Sequence, residues 1–267
     1  MGRPPAGHRV NAGELLEVAV AAARAGAAVL VPRFGNTRAL GSKSTPTDPV
    51  SEADLAAERA IRDVIATRRP DDGLLGEEGT GDVAGTTGLR WVVDPLDGTT
   101  DYLYGIPQWC VSVAVEDADG PVAGVILEPL RGEEFAATRG GGATLNGVPL
   151  HHPADPPPLE RALVATGFGY DADVRRAQGA IVADLLPRVR DIRRAGSAAL
   201  DLAWTAAGRH DLYYEFGVKR WDIAAGELIC REAGLEVVEL AGDGLLPQGL
   251  AVGAPGLLAQ LLSALDR

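Results

Sequence analysis

Trp91-Val92-Val93-Asp94-Pro95-Leu96-Asp97-Gly98-Thr99-Thr100 is the stretch around which the rest of this 267-residue sequence can be read. Its aromatic and β-branched opening reads as a buried strand. At the strand's end stand two carboxylates, Asp94 and Asp97, three residues apart. Pro95 fixes the turn between them, and Gly98 lets the backbone approach a ligand closely. Gly98-Thr99-Thr100 then opens a turn whose N–H groups can face an anion. Hard oxygen donors beside an anion cradle are what magnesium-assisted phosphoryl transfer requires. Taken alone, the same residues also suit an ordinary Asp-rich turn, with Asp97-Gly98 as its turn chemistry.

Three further segments lie outward from this one. Upstream, Gly76-Glu77-Glu78-Gly79 follows an apolar Leu74-Leu75 and places two carboxylates at its end; in isolation it reads as a solvated acidic loop. Farther upstream, Lys43 to Ser51 is a Pro-rich loop leading to Asp54 in the first turn of a helix, where Ser51 and Asp54 also make an ordinary capping pair. Downstream, Arg220-Trp221-Asp222 opens a helix, and Asp222 there is also what a helix dipole favours.

The flanking pattern predicts a first helix over 12–34, with Asn11 as N-cap, Glu14 as capping partner and Gly35 as its end. A second helix runs from Ser51 to about Arg69 and is closed by Pro70. Residues 110–115 and 122–127 read as a hairpin across Asp117-Ala118-Asp119-Gly120, with more strand at 134–138. Asp155-Pro156-Pro157-Pro158 marks a linker. Beyond it come strand 162–166, helix 173–186, strand 191–194, helix 197–207, strand 211–215, helix 222–233, strands 235–240 and 250–252, and a helix from Pro255. The chain is thus mixed α/β with an antiparallel element in its first half. A polar tail, 1–10, precedes a single domain, 11–267, in two halves: 11–152 for metal and phosphate, 159–267 for substrate.

Twenty-five basic and 37 acidic residues give a net charge of −12, which opposes binding to nucleic acid. The same charge suits anionic substrates only where a bound cation inverts the local field. No run of 18 apolar residues appears, so no membrane span is expected. Residues 1–10 lack the apolar stretch of a signal peptide, and Ala6 stands where myristoylation needs Ser or Thr; a cytoplasmic protein is expected. Cys110 and Cys230 read as buried thiols, and the four histidines lack the spacing of a zinc site.

Together and in this order, the four segments resemble the inositol monophosphatase family, from about Gly13 onward. The family's pattern is D-P-x-D-G-T after W-[IV]-[IV], with G-E-E upstream and W-D-x-A-[AG]-G downstream. Here it stands as Trp91 to Thr99, Gly76 to Glu78, and Trp221-Asp222-Ile223-Ala224-Ala225-Gly226. Thr166-Gly167-Phe168-Gly169-Tyr170 and Gly196-Ser197-Ala198-Ala199 are most similar to the bacterial members. One departure is Asp101, where the family usually has Asn.

The resemblance implies a layered αβαβα sandwich of the inositol monophosphatase and fructose-1,6-bisphosphatase type, as a homodimer. It implies a magnesium-dependent, lithium-sensitive phosphomonoesterase with two or three Mg2+ ions, acting on a small phosphorylated polyol or sugar such as inositol monophosphate. Glu77, Asp94, the Leu96 carbonyl, Asp97 and Asp222 would hold the metals, with Asp94 bridging two of them. Thr99 and Asp54, with Glu77 nearby, would direct the attacking water. Gly98, Thr99, Gly196, Ser197, Ala198, Glu215 and Asp222 would meet the substrate, Glu215 as the polyol-binding carboxylate. Lys43 and Asp48 are further candidates beside the metals. Fructose 1,6-bisphosphate, histidinol phosphate or a 3′-phosphonucleotide would use the same metal core. A reading of another class is a non-catalytic protein that binds a macromolecular partner.

Overall fold

Residues 11–36, 39–42, 49–78, 82–152 and 155–265 are described by a computed structural model of the chain. Lys43 and Asp48 lie outside the described residues.

The strand expected at Trp91 runs over Arg90–Asp97, so it passes through the acidic motif instead of ending before it. It sits inside an eight-stranded sheet, flanked by Cys110–Asp117 and Gly73–Gly76. Pairing is antiparallel across this sheet, except that Gly73–Gly76 runs parallel to Arg90–Asp97. Side chains alternate between the faces of a strand. Trp91 and Val93 enter a core with helices α1 (Ala12–Leu30) and α2 (Glu52–Arg68), while Val92 enters a second core on the opposite face. Both faces are buried, which explains the nearly unbroken apolar run.

Alanines at positions 19, 22, 23, 27, 53 and 57 are buried where α1 and α2 meet that first face. Small side chains there let two helices and a sheet approach closely. By length and composition the stretch Ala12–Arg33 would pass as a membrane span, but its buried residues form the sheet-facing core. After the five-residue helix α3 (Thr99–Leu103) and the hairpin strands, the chain enters its second sheet. On its outer face lie α4 (Ala172–Leu185) and the last helix, Pro255–Leu265. Its inner face packs on α5 (Ala198–Ala206) and α6 (Arg220–Glu232), which in turn cover the large sheet. With α7 (Pro255–Leu265) the order of layers is αβαβα, as the resemblance implied.

That second sheet has five strands. Asp191–Arg193, Leu163–Thr166 and Leu212–Phe216 are parallel; Gly249–Gly253 pairs antiparallel with both Leu212–Phe216 and Glu236–Leu240. Two helix boundaries differ from expectation for local reasons. The first helix stops at Leu30 and tightens into a 3-10 turn, Val31–Arg33, because Pro32 has no N–H with which to continue the ladder. Helix α6 begins at Arg220 instead of Asp222, since the Asp222 carboxylate reaches back to the Lys219 N–H and caps the helix from its third position.

Candidate active site

Two carboxylates three residues apart on a regular strand would point to opposite faces. Asp94 pairs with Ser112 and Asp97 with Cys110, so three steps on one strand oppose two on the other. This bulge re-aims the chain, and Asp94, Leu96 and Asp97 all line one cavity of about 460 Å³. Pro95 sits in the bulge, where the ladder is interrupted and no donor is required. Gly98 follows with φ of +100°, and a Cβ there would meet the Gln108 carbonyl oxygen at 2.6 Å. Only glycine fits on both counts.

Three of the carboxylates have an oxygen held by a backbone N–H. Leu96 N–H donates to Asp94 Oδ1 at 3.0 Å, Ala199 N–H to Asp97 Oδ2 at 2.6 Å, and Lys219 N–H to Asp222 Oδ2 at 2.6 Å. The Ser197 hydroxyl also donates to Asp97 Oδ2, at 2.8 Å. The start of α5 thus grips a carboxylate carried by the other sheet. Glu77 joins the same wall from the turn after Gly73–Gly76, with its N–H on the Val93 carbonyl at 3.2 Å. Gly76 is needed beside it, because a Cβ would come within 2.9 Å of Glu58 Oε2, which itself accepts from the Glu78 N–H.

Burial pushes the Asp97 carboxyl up to about 6, and the negative charges of Glu77 and Asp101 add to that. Asp222 is held well above the usual carboxylate range, first by burial, then by Asp97 and Glu77. Among the described residues no three such side chains are already closed into a metal-binding cluster. Their chemistry nonetheless fits a hard cation: the Glu77, Asp94, Asp97 and Asp222 carboxylates and the Leu96 carbonyl are oxygen donors sharing one wall, and their mutual repulsion is relieved by positive charge.

Thr99 lines the cavity one residue beyond Gly98. Its hydroxyl lies 3.0 Å from Asp54 Oδ1 and 3.0 Å from the Leu96 carbonyl oxygen, so its single proton serves one acceptor at a time. Asp54 is fully buried behind Thr99 and does not reach the cavity wall. Its second oxygen accepts from the Ser51 N–H at 2.9 Å and from the Ser51 hydroxyl.

Glu215 faces this wall from the second sheet. The Tyr213 hydroxyl donates to its Oε2 at 3.1 Å, and a Cβ on Gly167 would fall 2.1 Å from the same oxygen. Burial, with Asp97 adding to it, pushes Glu215 up to about 7. Gly196, Ser197 and Ala198 complete the rim. Among the described residues, the expected ligands and substrate contacts thus line one cavity, and Asp54 lies behind it. Sequence reading missed Arg194 and Asp201, which also line it, and gave Gly167 no place in the site. Asp201 carried a signal, as the lone charge in α5, and Gly167 stood in the quoted Thr166 to Tyr170 stretch; Arg194 carried none.

Residues 11–266 match the inositol monophosphatase family. Inositol-1-monophosphatase SuhB of Mycobacterium tuberculosis is 44% identical over 240 residues, covering 86% of this chain and 82% of that protein. Nus factor SuhB of Escherichia coli is 38% identical over 254 residues, with 93% and 94% covered. Among solved structures, extragenic suppressor protein suhB from Bartonella henselae superposes with a TM-score of 0.87 at 36% identity, over 95% of this chain and 99% of that one. SaIMPase-II with inositol monophosphate bound gives 0.75 at 26%, over 94% and 92%. Bulged acidic strand, layered fold and sequence kinship agree: this chain belongs to the inositol monophosphatase family and is a phosphoric monoester hydrolase of that type.

Proposed function

We propose that this protein hydrolyses inositol monophosphate, or a similar small polyol or sugar phosphate, with magnesium. The observation that carries this is one cavity lined both by the oxygen donors Glu77, Asp94, Leu96, Asp97 and Asp222 and by the Glu215 carboxylate. Magnesium ions held by those five residues would supply charge neutralisation for the phosphoryl group and a lowered pKa for an attacking water.

The rest falls to the chain itself. The Gly98 and Thr99 N–H groups receive phosphate oxygens at the mouth of the bulge. Thr99 donates its hydroxyl proton to Asp54 and so turns a lone pair toward the cavity, where a water can donate to it. A water oriented this way has its proton path laid out through Thr99 to Asp54. Asp54 acts through Thr99 and positions it; the two Ser51 bonds hold Asp54 in place. No side-chain nucleophile is required, and burial holds the nearby Cys110 thiol well above its ordinary pKa, so it stays protonated. Glu215 accepts from the hydroxyls of a polyol, in a place that Gly167 keeps open. SaIMPase-II, whose structure holds inositol monophosphate, and relatives that bear the name inositol-1-monophosphatase support the polyol.

Phosphate release from a panel of phosphomonoesters, with and without magnesium, tests this. Inositol 1-phosphate should lead the panel and depend on the metal. Preference for a ketose bisphosphate or a 3′-phosphonucleotide would replace the polyol with one of those substrates.

A further inference from the structure

Across the rim of this cavity, an aspartate and an arginine meet around a glycine. Arg194 is exposed and lines the cavity, with its guanidinium carbon 6.0 Å from the centre of the Phe168 ring. Among the described residues no carboxylate makes a direct ion pair with it, although its charge reaches Asp101, Asp201 and Glu215. Asp101, on α3, is only 6% exposed, and its Oδ2 is buried without a hydrogen-bond partner. Both converge on one point. A Cβ on Gly196 would lie 2.2 Å from Asp101 Oδ2 and 3.0 Å from Arg194 Nη1. Gly196, at φ of +110°, leaves that point empty, so the two charged groups can approach across it.

A buried carboxylate oxygen without a partner is unfavourable, and a nearby cation offsets this. Burial raises the Asp101 carboxyl, and the Arg194 charge is what opposes that rise. The converse effect falls on Arg194. A lone guanidinium at a cavity rim attracts anions over several ångströms, whereas one beside a carboxylate presents little net charge. Lys219 is a second cation on the lining, at the start of α6; the lining carboxylates Asp201 and Glu215 also feel the Arg194 charge, and with Asp97 they oppose anions.

We propose that Asp101 determines specificity by neutralising Arg194, so that the site selects phosphates of uncharged polyols over those carrying a second anionic group. This rests on the phosphatase reading above and deepens it. Asp101 does not itself line the cavity; it sets the charge that Arg194 shows to the leaving group.

Steady-state kinetics on inositol 1-phosphate and fructose 1,6-bisphosphate, with magnesium, test it in the native chain, Asp101→Asn, Arg194→Gln and the double variant. Asp101→Asn should raise the bisphosphate-to-monophosphate ratio of kcat/KM about three- to fivefold, through a lower KM for the bisphosphate. The double variant should lose that gain, and added salt should shrink it. Arg194→Gln alone should change the ratio little, because its charge is already offset. An unchanged ratio in Asp101→Asn, or a gain that survives in the double variant, overturns the proposal. If Asp101→Asn does not fold, Arg194→Gln decides: a large loss on the bisphosphate alone would show that Arg194 is not neutralised. Normal turnover with an unchanged ratio sinks this inference alone, whereas absence of release from every ester sinks the phosphatase reading and this inference with it.

Discussion

The Thr99 hydroxyl stands 3.0 Å from Asp54 Oδ1, in a buried bond between residues 45 apart in sequence. It ties the first turn of α2 to the residue just past the acidic bulge. Because Asp54 meets the cavity only through Thr99, its removal should affect the chemical step and not binding. Asp54→Asn keeps an acceptor for the Ser51 N–H, so the helix cap survives while the charge is lost. We expect kcat to fall roughly a hundredfold or more with KM within about twofold. A raised KM at unchanged kcat would show that Asp54 serves binding instead.

Gly98→Ala should damage the site through the backbone. Positive φ strains any side chain by about 1–3 kcal/mol. The new Cβ would also meet the Gln108 carbonyl at 2.6 Å. The variant should melt several degrees lower and lose most phosphate release. A variant that melts and turns over like the native chain would mean that the bulge is not built as described.

Glu215→Gln should discriminate between esters. Loss of one charged acceptor to a polyol weakens binding by about 1.5–3 kcal/mol, or roughly ten- to a hundredfold in kcat/KM for inositol 1-phosphate. Release from p-nitrophenyl phosphate, which has no polyol, should change far less. Equal losses on both esters would place Glu215 in the catalytic core, and no loss on either would make it a wall residue only.

Metal-free protein should become less stable as pH rises through the neutral range. The carboxyls of Asp97, at about 6, and Glu215, at about 7, are raised in the folded chain above their unfolded values near 4. Between about pH 5 and 7 these two groups therefore bind more protons in the folded chain than in the unfolded one, and their contribution to stability falls as pH rises. Asp222 and Asp201, also raised, act with the same sign. Thermal melts of metal-free protein should thus give a lower Tm at about pH 7.5 than at about pH 5.5, and millimolar magnesium should recover more at the higher pH. A metal-free Tm that rises steadily over this range would contradict the grouping of these acids.

The acidic motif was legible in the sequence because its parts are local: an apolar strand, a proline, a glycine and two aspartates within ten residues. What brings Asp94 and Asp97 to one side was not legible, since the bulge depends on register against Ser112 and Cys110. At Asp54 and Asp222 the plain reading and the functional one both hold. Each caps its own helix from the third position while lying at or just behind the cavity wall. Helix α6 began earlier than expected because Lys219 is not a typical cap residue; the carboxylate of Asp222 does the capping. Gly167 beneath Glu215, and Gly196 between Asp101 and Arg194, matter only through neighbours distant in the chain. No local pattern announces such contacts.

Magnesium add-back to stripped protein tests the central claim most directly. Protein freed of metal with EDTA and then desalted should release no phosphate from inositol 1-phosphate above the buffer rate. Titration with magnesium should restore turnover in the native chain, while Asp94→Asn, folded by circular dichroism, should remain at least about a hundredfold lower. Full turnover by the stripped protein in excess EDTA would contradict the mechanism, and near-native activity in Asp94→Asn would contradict the assignment of the metal wall.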